Sequence, residues 1–494
     1  MKNTKRFRNL VILWWTVSFS LLIFIEILPK FTVSVVSSFK DLFPSDLLIE
    51  DSWYGVYFKK EFVGYSNFNM KVLDIKEGRG FRLENRLFLN LPILGDLRSM
   101  MVTTKALLLS DYSLKDFSLD FKSEKYFLKI SLKKRGSQKY KFILKTPNYE
   151  KKKFITLSKR NFVYSPLTPI LLNYLPKGKR LVLKFLDIFT QTPLEVYLKN
   201  KGKCFIKIDS QKILAYKIEG DFKGIKFYAW VDKNGRLLKE EFLNFTFLKE
   251  KPNKIFEKLR KKPSKDLALA FSVKVKKDIK DPRKVRYLKV KIKLPPDFPL
   301  EDLSSHRQVY KIEGDQILLE IRKEKIKKIL SYPFESDFKE FLVQDLFIKK
   351  DQKVKEAALK IIGKEKDSFK ILEKLCNWTY KNIKKVPTVS FPNTLDVLKF
   401  RKGDCNEHAV LLCGFLRSLG IPSFVNLGLV YQDKRFWYHA WVSSFIGEWV
   451  ESDPVFGQTI ADATHIRLLK GDITRQTEIL KLLGKIKIEI LDYD

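Results

Sequence analysis

The chain has 494 residues, of which 45% are hydrophobic and 14% aromatic, so it can bury several cores and is not a disordered protein. Its 95 Lys and Arg residues outnumber 57 Asp and Glu residues, for a formal net charge of +38. No zinc finger, P-loop or RNA-binding signature accompanies this charge, so no nucleic-acid partner is expected. Runs such as Lys289-Val290-Lys291-Ile292 place lysines on one strand face, which makes much of the charge solvated surface, with weak attraction to an anionic membrane as a further possibility.

The N-terminal segment predicts a membrane anchor. Several basic residues precede an apolar run from Leu10 to Leu28, which only Glu26 interrupts. At 1.5 Å per residue this run is long enough to cross a hydrocarbon layer about 30 Å thick. No small-x-small cleavage site follows, so residues 1–30 are expected to form a cytoplasmic basic stub and an uncleaved single-pass signal anchor at the cell membrane. The bulk of the chain would then lie outside the cytoplasm, in a periplasmic or extracellular compartment.

Two strand-rich regions are predicted next. Over residues 49–248 apolar and polar residues alternate between turn signals such as Asn234-Gly235, which is typical of an antiparallel β domain. Residues 249–266 are basic and contain prolines, so they indicate a linker. Alternation returns over residues 267–347 and predicts a second, smaller β domain. Neither region carries a motif with chemistry, and we expect both to serve as spacers or binding modules.

Helical periodicity begins near residue 350, and one helix start stands out. Gly403 permits a tight turn, Asp404 is a good N-cap, and Glu407 completes an acidic capping box, so Cys405 should lie on the first turn of a helix. The partial positive charge and free N–H groups of a helix N-terminus stabilise a thiolate and can also hold an oxyanion. Cys413 lies two turns further along the apolar face and is expected to be inert core.

Two further residues, both C-terminal to Cys405, complete a possible thiol site. The segment from Phe436 to Val442 is aromatic and β-branched, so it predicts a strand bearing His439. The segment from Gly447 to Pro454 predicts the neighbouring strand of a hairpin, ending at Asp453. A carboxylate there can bond one imidazole nitrogen and leave the other to face the thiol. We therefore predict Cys405 as nucleophile, with His439 as base and Asp453 as the orienting acid.

In this order, Gly403-Asp404-Cys405, His439-Ala440-Trp441 and Asp453-Pro454 resemble the three blocks of the transglutaminase-like superfamily, and the segment from Leu416 to Pro422 is similar to its usual exit from the cysteine helix. The resemblance covers about residues 350–475. It implies a papain-like core in which a helix bearing cysteine packs against an antiparallel sheet bearing histidine and aspartate. It also implies thiol chemistry on amides through a thioester acyl-enzyme, and leaves open whether water or a lysine amine accepts the acyl group.

The predicted fold class is α+β, with an N-terminal transmembrane helix, two antiparallel β-rich domains and a C-terminal papain-like, transglutaminase-like core. The last segment is expected to be a helix or strand extension. The predicted boundaries, in chain order, are residues 1–30, 49–248, 249–266, 267–347, 350–475 and 476–494.

A zinc site is the competing interpretation of the same residues. Cys405, His408, Cys413 and His439 could be proposed as ligands, because the Cys-x₂-His spacing is weakly compatible with zinc. However, the two cysteines would lie about 12 Å apart along one helix, too far to ligate one ion. No cofactor or metal is therefore expected. His408 is predicted to be a supporting or surface group, and His465 is assigned no role.

The sequence thus predicts a membrane-anchored, cysteine-dependent acyl-transfer enzyme acting on peptide or isopeptide amides. It would be a peptidase or amidase if water accepts the acyl group, and a protein-glutamine acyltransferase, that is a transglutaminase, if an amine does. The near-neutral charge around the three motifs suits a peptide better than a polyanion. The alternative is a non-catalytic envelope scaffold or binding protein that uses the fold as an interaction module. The expected partners are a protein or peptide substrate and, through the N-terminal helix, the membrane.

Overall fold

The computed structural model describes residues 33–35, 49–111, 113–157, 162–163, 175–187, 193–296, 298–471 and 475–494, and every structural statement below concerns these residues. The predicted anchor at residues 1–30 lies outside them. No helix in these ranges is both long and apolar enough to cross a membrane, and the longest has 15 residues, fewer than the roughly 20 that a bilayer span needs. On this finding, the predictions of an N-terminal transmembrane helix and of a single-pass location at the cell membrane are wrong.

Strands form most of the regular structure. In chain order the strands β1 to β27 are Val33–Val35, Ile49–Phe58, Glu61–Ile75, Gly78–Ile93, Asp96–Leu108, Leu114–Ser123, Tyr126–Lys134, Lys139–Lys145, Glu150–Thr156, Phe162–Val163, Arg180–Leu186, Pro193–Ile208, Gln211–Phe222, Ile225–Val231, Leu237–Phe242, Phe245–Lys249, Val273–Lys274, Tyr287–Lys293, Gln308–Glu313, Gln316–Arg322, Lys384–Lys385, Lys402–Gly403, Ser423–Gln432, Arg435–Phe445, Trp449–Ser452, His465–Gly471 and Lys487–Tyr493. The helices α1 to α7 are Pro252–Leu259, Leu267–Phe271, Gln352–Ile362, Ser368–Asn382, Thr394–Phe400, Cys405–Ser418 and Gln476–Leu480. The predicted α+β class is therefore wrong. The structure is mostly β, because the long alternating runs pair into one extensive sheet while the longer helices gather in a single short stretch of the chain.

The large sheet has 16 strands in the order β1-β11-β12-β13-β14-β15-β16-β2-β3-β4-β5-β6-β7-β8-β9, with β10 beside β11. Alternation decides its faces, since along β7 buried residues recur at every second position and lysines point outward. Leu128 of β7 and Leu198 of β12 belong to the same hydrophobic core, although their strands lie far apart in the order. The sheet must therefore curve so that its two arms face each other.

A second hydrophobic core extends from Val273 to Ile490. It joins a five-stranded sheet, β17-β24-β23-β26 with β25 beside β24, to a four-stranded sheet, β19-β20-β18-β27. Helices α3, α4 and α5 pack against α6, which lies on β23 and β24. We call this unit, residues 273–490, the C-terminal module. The regions predicted as 267–347, 350–475 and 476–494 all contribute to it, and their boundaries stay predictions, since a shared core does not show which part folds alone.

The far arm of the large sheet contacts the chain that leads into α6. The Tyr126 hydroxyl of β7 donates a hydrogen bond to the Lys402 carbonyl oxygen at 2.9 Å. The rings of Phe121 and Phe391 meet edge to face, 5.0 Å between centroids. Since Lys402 lies in β22, immediately before α6, these contacts help to position the N-terminus of that helix.

Candidate active site

Helix α6 begins at Cys405, as the sequence predicts, and Asp404 caps it. Asp404 Oδ1 accepts a hydrogen bond from the Asn406 N–H at 3.0 Å, and Glu407 Oε2 accepts one from the Asp404 N–H at 2.9 Å, which closes the capping box. A Cβ at Gly403 would overlap the Glu407 side chain, so this turn requires glycine. These local contacts hold Cys405, a partly exposed residue, on the first turn of the helix.

The cap is itself held by an extended segment that precedes α5. Glu407 Oε1 accepts hydrogen bonds from Thr388 Oγ1 at 2.9 Å and from Ser390 Oγ. Burial raises the pKa of Asp404 well above its usual range, and the neighbouring Glu407 carboxylate raises it further. Asp404 therefore binds a proton more readily than an ordinary aspartate.

The surroundings of Cys405 oppose spontaneous ionisation. Burial raises the pKa of its thiol well above the ordinary value, and the Asp404 carboxyl adds to this effect. The backbone N–H of Ala440 acts in the opposite direction, because it donates a hydrogen bond to the sulfur. The helix N-terminus alone predicts a stabilised thiolate, but burial and Asp404 outweigh it, so the resting group is a thiol that needs a base.

His439 and Asp453 lie on the hairpin that the sequence predicts. Strand β24 carries His439, and β25, which pairs with β24 at Val442 and Ser452, leads directly to Asp453. The His439 Nε2 and Asp453 Oδ2 atoms are 2.8 Å apart, and both residues are buried. Burial opposes ionisation of Asp453, but the His439 imidazole and its hydrogen bond help to hold the pKa of that carboxyl well below its usual range. Because Nε2 is bonded to Asp453, Nδ1 is the ring nitrogen left for the thiol.

The packing of α6 against β24 brings the thiol to this pair. The hydrogen bond from the Ala440 N–H places the Cys405 sulfur beside the residue that follows His439. The Cys405 thiol therefore lies beside the strand that bears His439, and His439 in turn contacts Asp453 at the end of β25. Their catalytic roles stay predictions.

His465 is a residue of the site that the sequence motifs did not reveal. It begins β26, is buried, and places its Nε2 2.9 Å from Asp453 Oδ2, the oxygen that His439 also contacts. Strand β26 pairs with the far side of β23, so His465 reaches the site from two strands away. Gly428 of β23 lies opposite His439, and a Cβ there would lie 2.8 Å from the Trp441 ring. His465 could have been found from the sequence only by predicting that β26 pairs with β23 next to this glycine.

The other residues considered from the sequence have local partners. His408 is buried, with Nδ1 2.6 Å from the Asp404 carbonyl oxygen, and burial lowers its pKa. Cys413 is buried within α6, with its sulfur 3.2 Å from Ser423 Oγ. Among the described residues, Cys405, His408, Cys413 and His439 do not form a group that could hold one ion. A different set of three residues could hold a metal ion, because one ligand atom of each lies within 4.8 Å of the others, and this set is His439, Asp453 and His465.

The comparisons with known proteins concern this same region. The model of the transglutaminase-like superfamily matches residues 355–454, and no curated protein matches the chain. A candidate cysteine protease from Cytophaga hutchinsonii is 16% identical, over 42% of this chain and 86% of that one, with a TM-score of 0.28. The periplasmic domain of TgpA from Pseudomonas aeruginosa, bound to ethylmercury, is 13% identical, over 36% and 93% of the two chains, with a TM-score of 0.22. A candidate protease from Parabacteroides distasonis is 11% identical, over 80% and 69%, with a TM-score of 0.21.

TM-scores this low carry no argument about function, so the family match is the finding that counts. The matched segment begins within α3, contains the whole of α6 and β24, and ends one residue after Asp453. It therefore includes Cys405, His439 and Asp453, the three residues that carry the sequence resemblance. Residues 355–454 form a domain of the transglutaminase-like superfamily.

Proposed function

We propose that this protein is a cysteine-dependent enzyme that cleaves or transfers peptide or isopeptide amides through a thioester intermediate. The observation that carries the proposal is the buried His439–Asp453 pair, bonded at 2.8 Å beside the helix N-terminus that bears Cys405. Neither feature alone is specific, because buried ion pairs are often structural and capped helices are common. Their convergence on one thiol supplies a nucleophile, a base and an orienting acid.

The reaction steps follow from which groups carry a proton before the attack. The resting Cys405 is a thiol, so its attack on an amide carbonyl requires His439 Nδ1 to take the S–H proton as the C–S bond forms. The carbonyl oxygen then carries a negative charge, which the positive end of the α6 helix dipole can stabilise. His439 returns the proton to the leaving amine as the C–N bond breaks, which leaves a thioester on Cys405.

The second half of the reaction reverses these roles. A water molecule or an amine attacks the thioester carbonyl, His439 takes its proton, and the sulfur departs and regains that proton from the imidazolium. Asp453 bonds Nε2 throughout, so it fixes the ring and stabilises the imidazolium in each half. Water as acceptor gives a peptidase or amidase, and a lysine amine gives a transglutaminase.

A non-catalytic scaffold is the second candidate function. It is favoured by one observation, which is that burial and Asp404 raise the pKa of the Cys405 thiol. A site that never formed the thiolate could serve as an interaction module. The two candidates differ in whether His439 activates Cys405.

Alkylation of the full-length chain by iodoacetamide tests this difference, with peptide mapping by mass spectrometry to separate the four cysteines. Cys204 is also partly exposed, on the large sheet far along the chain from the site, and is the internal reference. We expect Cys405 to react at least about tenfold faster than Cys204 at pH 7. His439→Ala should remove this advantage, and His306→Ala is the matched control that should not. Equal rates at both cysteines in the wild-type protein, unchanged by His439→Ala, would rule out the enzymatic proposal.

The acyl acceptor requires a second experiment. A glutamine-containing peptide is incubated with the protein and a primary amine, and the products are identified by mass spectrometry. Amine incorporation indicates transfer, new peptide termini or deamidated glutamine indicate hydrolysis, and Cys405→Ala should abolish either product.

A further inference from the structure

Asp453 is shared by two imidazoles, and only one of them has a role in the proposed reaction. His465 is buried, with Nε2 2.9 Å from Asp453 Oδ2. Its other nitrogen, Nδ1, lies 3.2 Å from the Asp462 carbonyl oxygen and 3.3 Å from Asp462 Oδ1. An ionised carboxylate and a carbonyl oxygen are acceptors only. Both nitrogens of His465 must therefore carry hydrogen, which makes the ring an imidazolium.

Charge balance agrees with this protonation state. Asp462 Oδ2 lies 3.0 Å from Arg283 Nη1, so the partly exposed Arg283 and the buried Asp462, His465 and Asp453 form a row of alternating charge. Burial disfavours the charged ring of His465, but Asp462 and Asp453 together raise its pKa to about 9. Burial likewise opposes ionisation of Asp462, and His465 and Arg283 hold the pKa of that carboxyl below its usual range.

We propose that His465 is a positioning residue of the thiol site, a permanent buried cation that fixes the Asp453 carboxylate and offsets its charge at His439. The inference rests on the proposed function and deepens it. With His465 charged, Asp453 can still orient the His439 ring, but it stabilises the His439 imidazolium less than an unshared carboxylate would. His439 is thereby oriented by a carboxylate whose charge His465 already balances.

The groups around His465 leave this balance intact. Asp453 and Asp462 are the carboxylates that contact it, and Arg283 acts through Asp462. The ring of His439 is 5.8 Å away between centroids, and that of Trp441 is 5.2 Å away. Two further ionisable neighbours lie close to these residues. Cys376 stays neutral because burial raises the pKa of its thiol, and Glu451, which accepts the Trp441 N–H at 2.8 Å, is paired with buried arginines.

His465→Gln is the decisive substitution, because glutamine can keep an N–H donor toward Asp453 while removing the charge. The rings of His439 and His465 lie 5.8 Å apart between centroids, so this substitution removes a positive charge from beside the proposed base. The whole pH profile of Cys405 alkylation should therefore move to higher pH, by about one unit. A purely structural role for His465 would lower the rate equally at every pH, and this result would overturn the proposal.

His439→Ala, measured in parallel, separates the two levels of inference. If it has no effect on alkylation, the proposed function fails. If it suppresses alkylation while His465→Gln leaves the profile in place, only the role of His465 fails.

The wild-type chain provides a test that needs no folded variant. It contains four histidines, so ¹⁵N-histidine labelling gives a simple spectrum of ring nitrogens. One ring should keep two protonated nitrogens up to about pH 8, because the pKa of His465 is raised to about 9. If all four rings become neutral below about pH 7.5, His465 is not a permanent cation and the proposal is wrong.

Discussion

Asp453→Asn tests the centre of the site, because one oxygen atom serves two buried imidazoles. Oδ2 lies 2.8 Å from His439 Nε2 and 2.9 Å from His465 Nε2. An asparagine can turn its oxygen toward these rings, but it brings no charge. If it turns its amide toward them, its N–H groups face ring N–H groups. The substitution therefore leaves the imidazolium of His465 with half of its counter-charge and weakens the hold on His439.

The expected magnitudes follow from burial. Removing one partner of a buried ion pair typically costs about 3–5 kcal/mol. For a unit of this size each kcal/mol lowers the Tm by about 2–4 °C, so the Tm of the C-terminal module should fall by on the order of 10 °C. Since the base also loses its orienting carboxylate, alkylation of Cys405 should slow by about a hundredfold or more.

Scanning calorimetry of the full-length chain measures the first effect, and the iodoacetamide assay measures the second. Cys405→Ala is the matched control, since it removes the nucleophile without leaving a charge unpaired, and it should shift the Tm by less than about 2 °C. A variant Asp453→Asn that unfolds at the wild-type temperature and still reacts rapidly at Cys405 would refute the account of Asp453 as the shared counter-ion.

Three further outcomes are expected. Tyr126→Phe removes the hydrogen bond to Lys402 and should cost about 1 kcal/mol and slow Cys405 alkylation, whereas Tyr140→Phe, in the same sheet but bonded to Leu114, should affect stability alone. Burial lowers the pKa of Lys349 to about 8. The folded chain thus binds fewer protons than the unfolded chain between pH 8 and 10.5. The stability of the wild-type protein relative to Lys349→Met, measured by chemical denaturation, should therefore rise by up to about 3 kcal/mol across that range. A stability difference that does not change with pH would contradict the burial of the charge. EDTA should leave alkylation unchanged and added Zn²⁺ should slow it, whereas inactivation by EDTA would identify a metal site.

Local sequence signals predict much of the site. The start of α6 is specified by Gly403, Asp404 and Glu407 within five residues, and the structure closes the same capping box. The β24–β25 hairpin, which places His439 near Asp453, follows from an apolar run and its turn. Each of these elements depends on neighbours in the sequence, so the sequence suffices to predict them.

Those local signals do not predict the pairing of strands that are far apart in the sequence. His465 lies in the site only because β26 pairs with β23, and nothing in the sequence of β26 indicates that β23 is its partner. Likewise the predicted extension at residues 476–494 supplies β27, which pairs with β18. The thiol pKa also depends on burial, which helix position alone does not reveal. The α+β expectation gave too much weight to one helical stretch, and the anchor prediction fell on residues outside the described ranges.

The pairing of β18 with β27 also has a consequence for the timing of folding. Tyr493 donates a hydrogen bond to the carbonyl oxygen of Asp278, a residue 215 positions earlier in the chain. Contacts of such long sequence separation form late, because the intervening chain must be synthesised and ordered first. While translation is under way, the four-stranded sheet lacks its last strand, although Cys405 has already been made. The four-stranded sheet of the module can therefore be completed only after synthesis has passed β27.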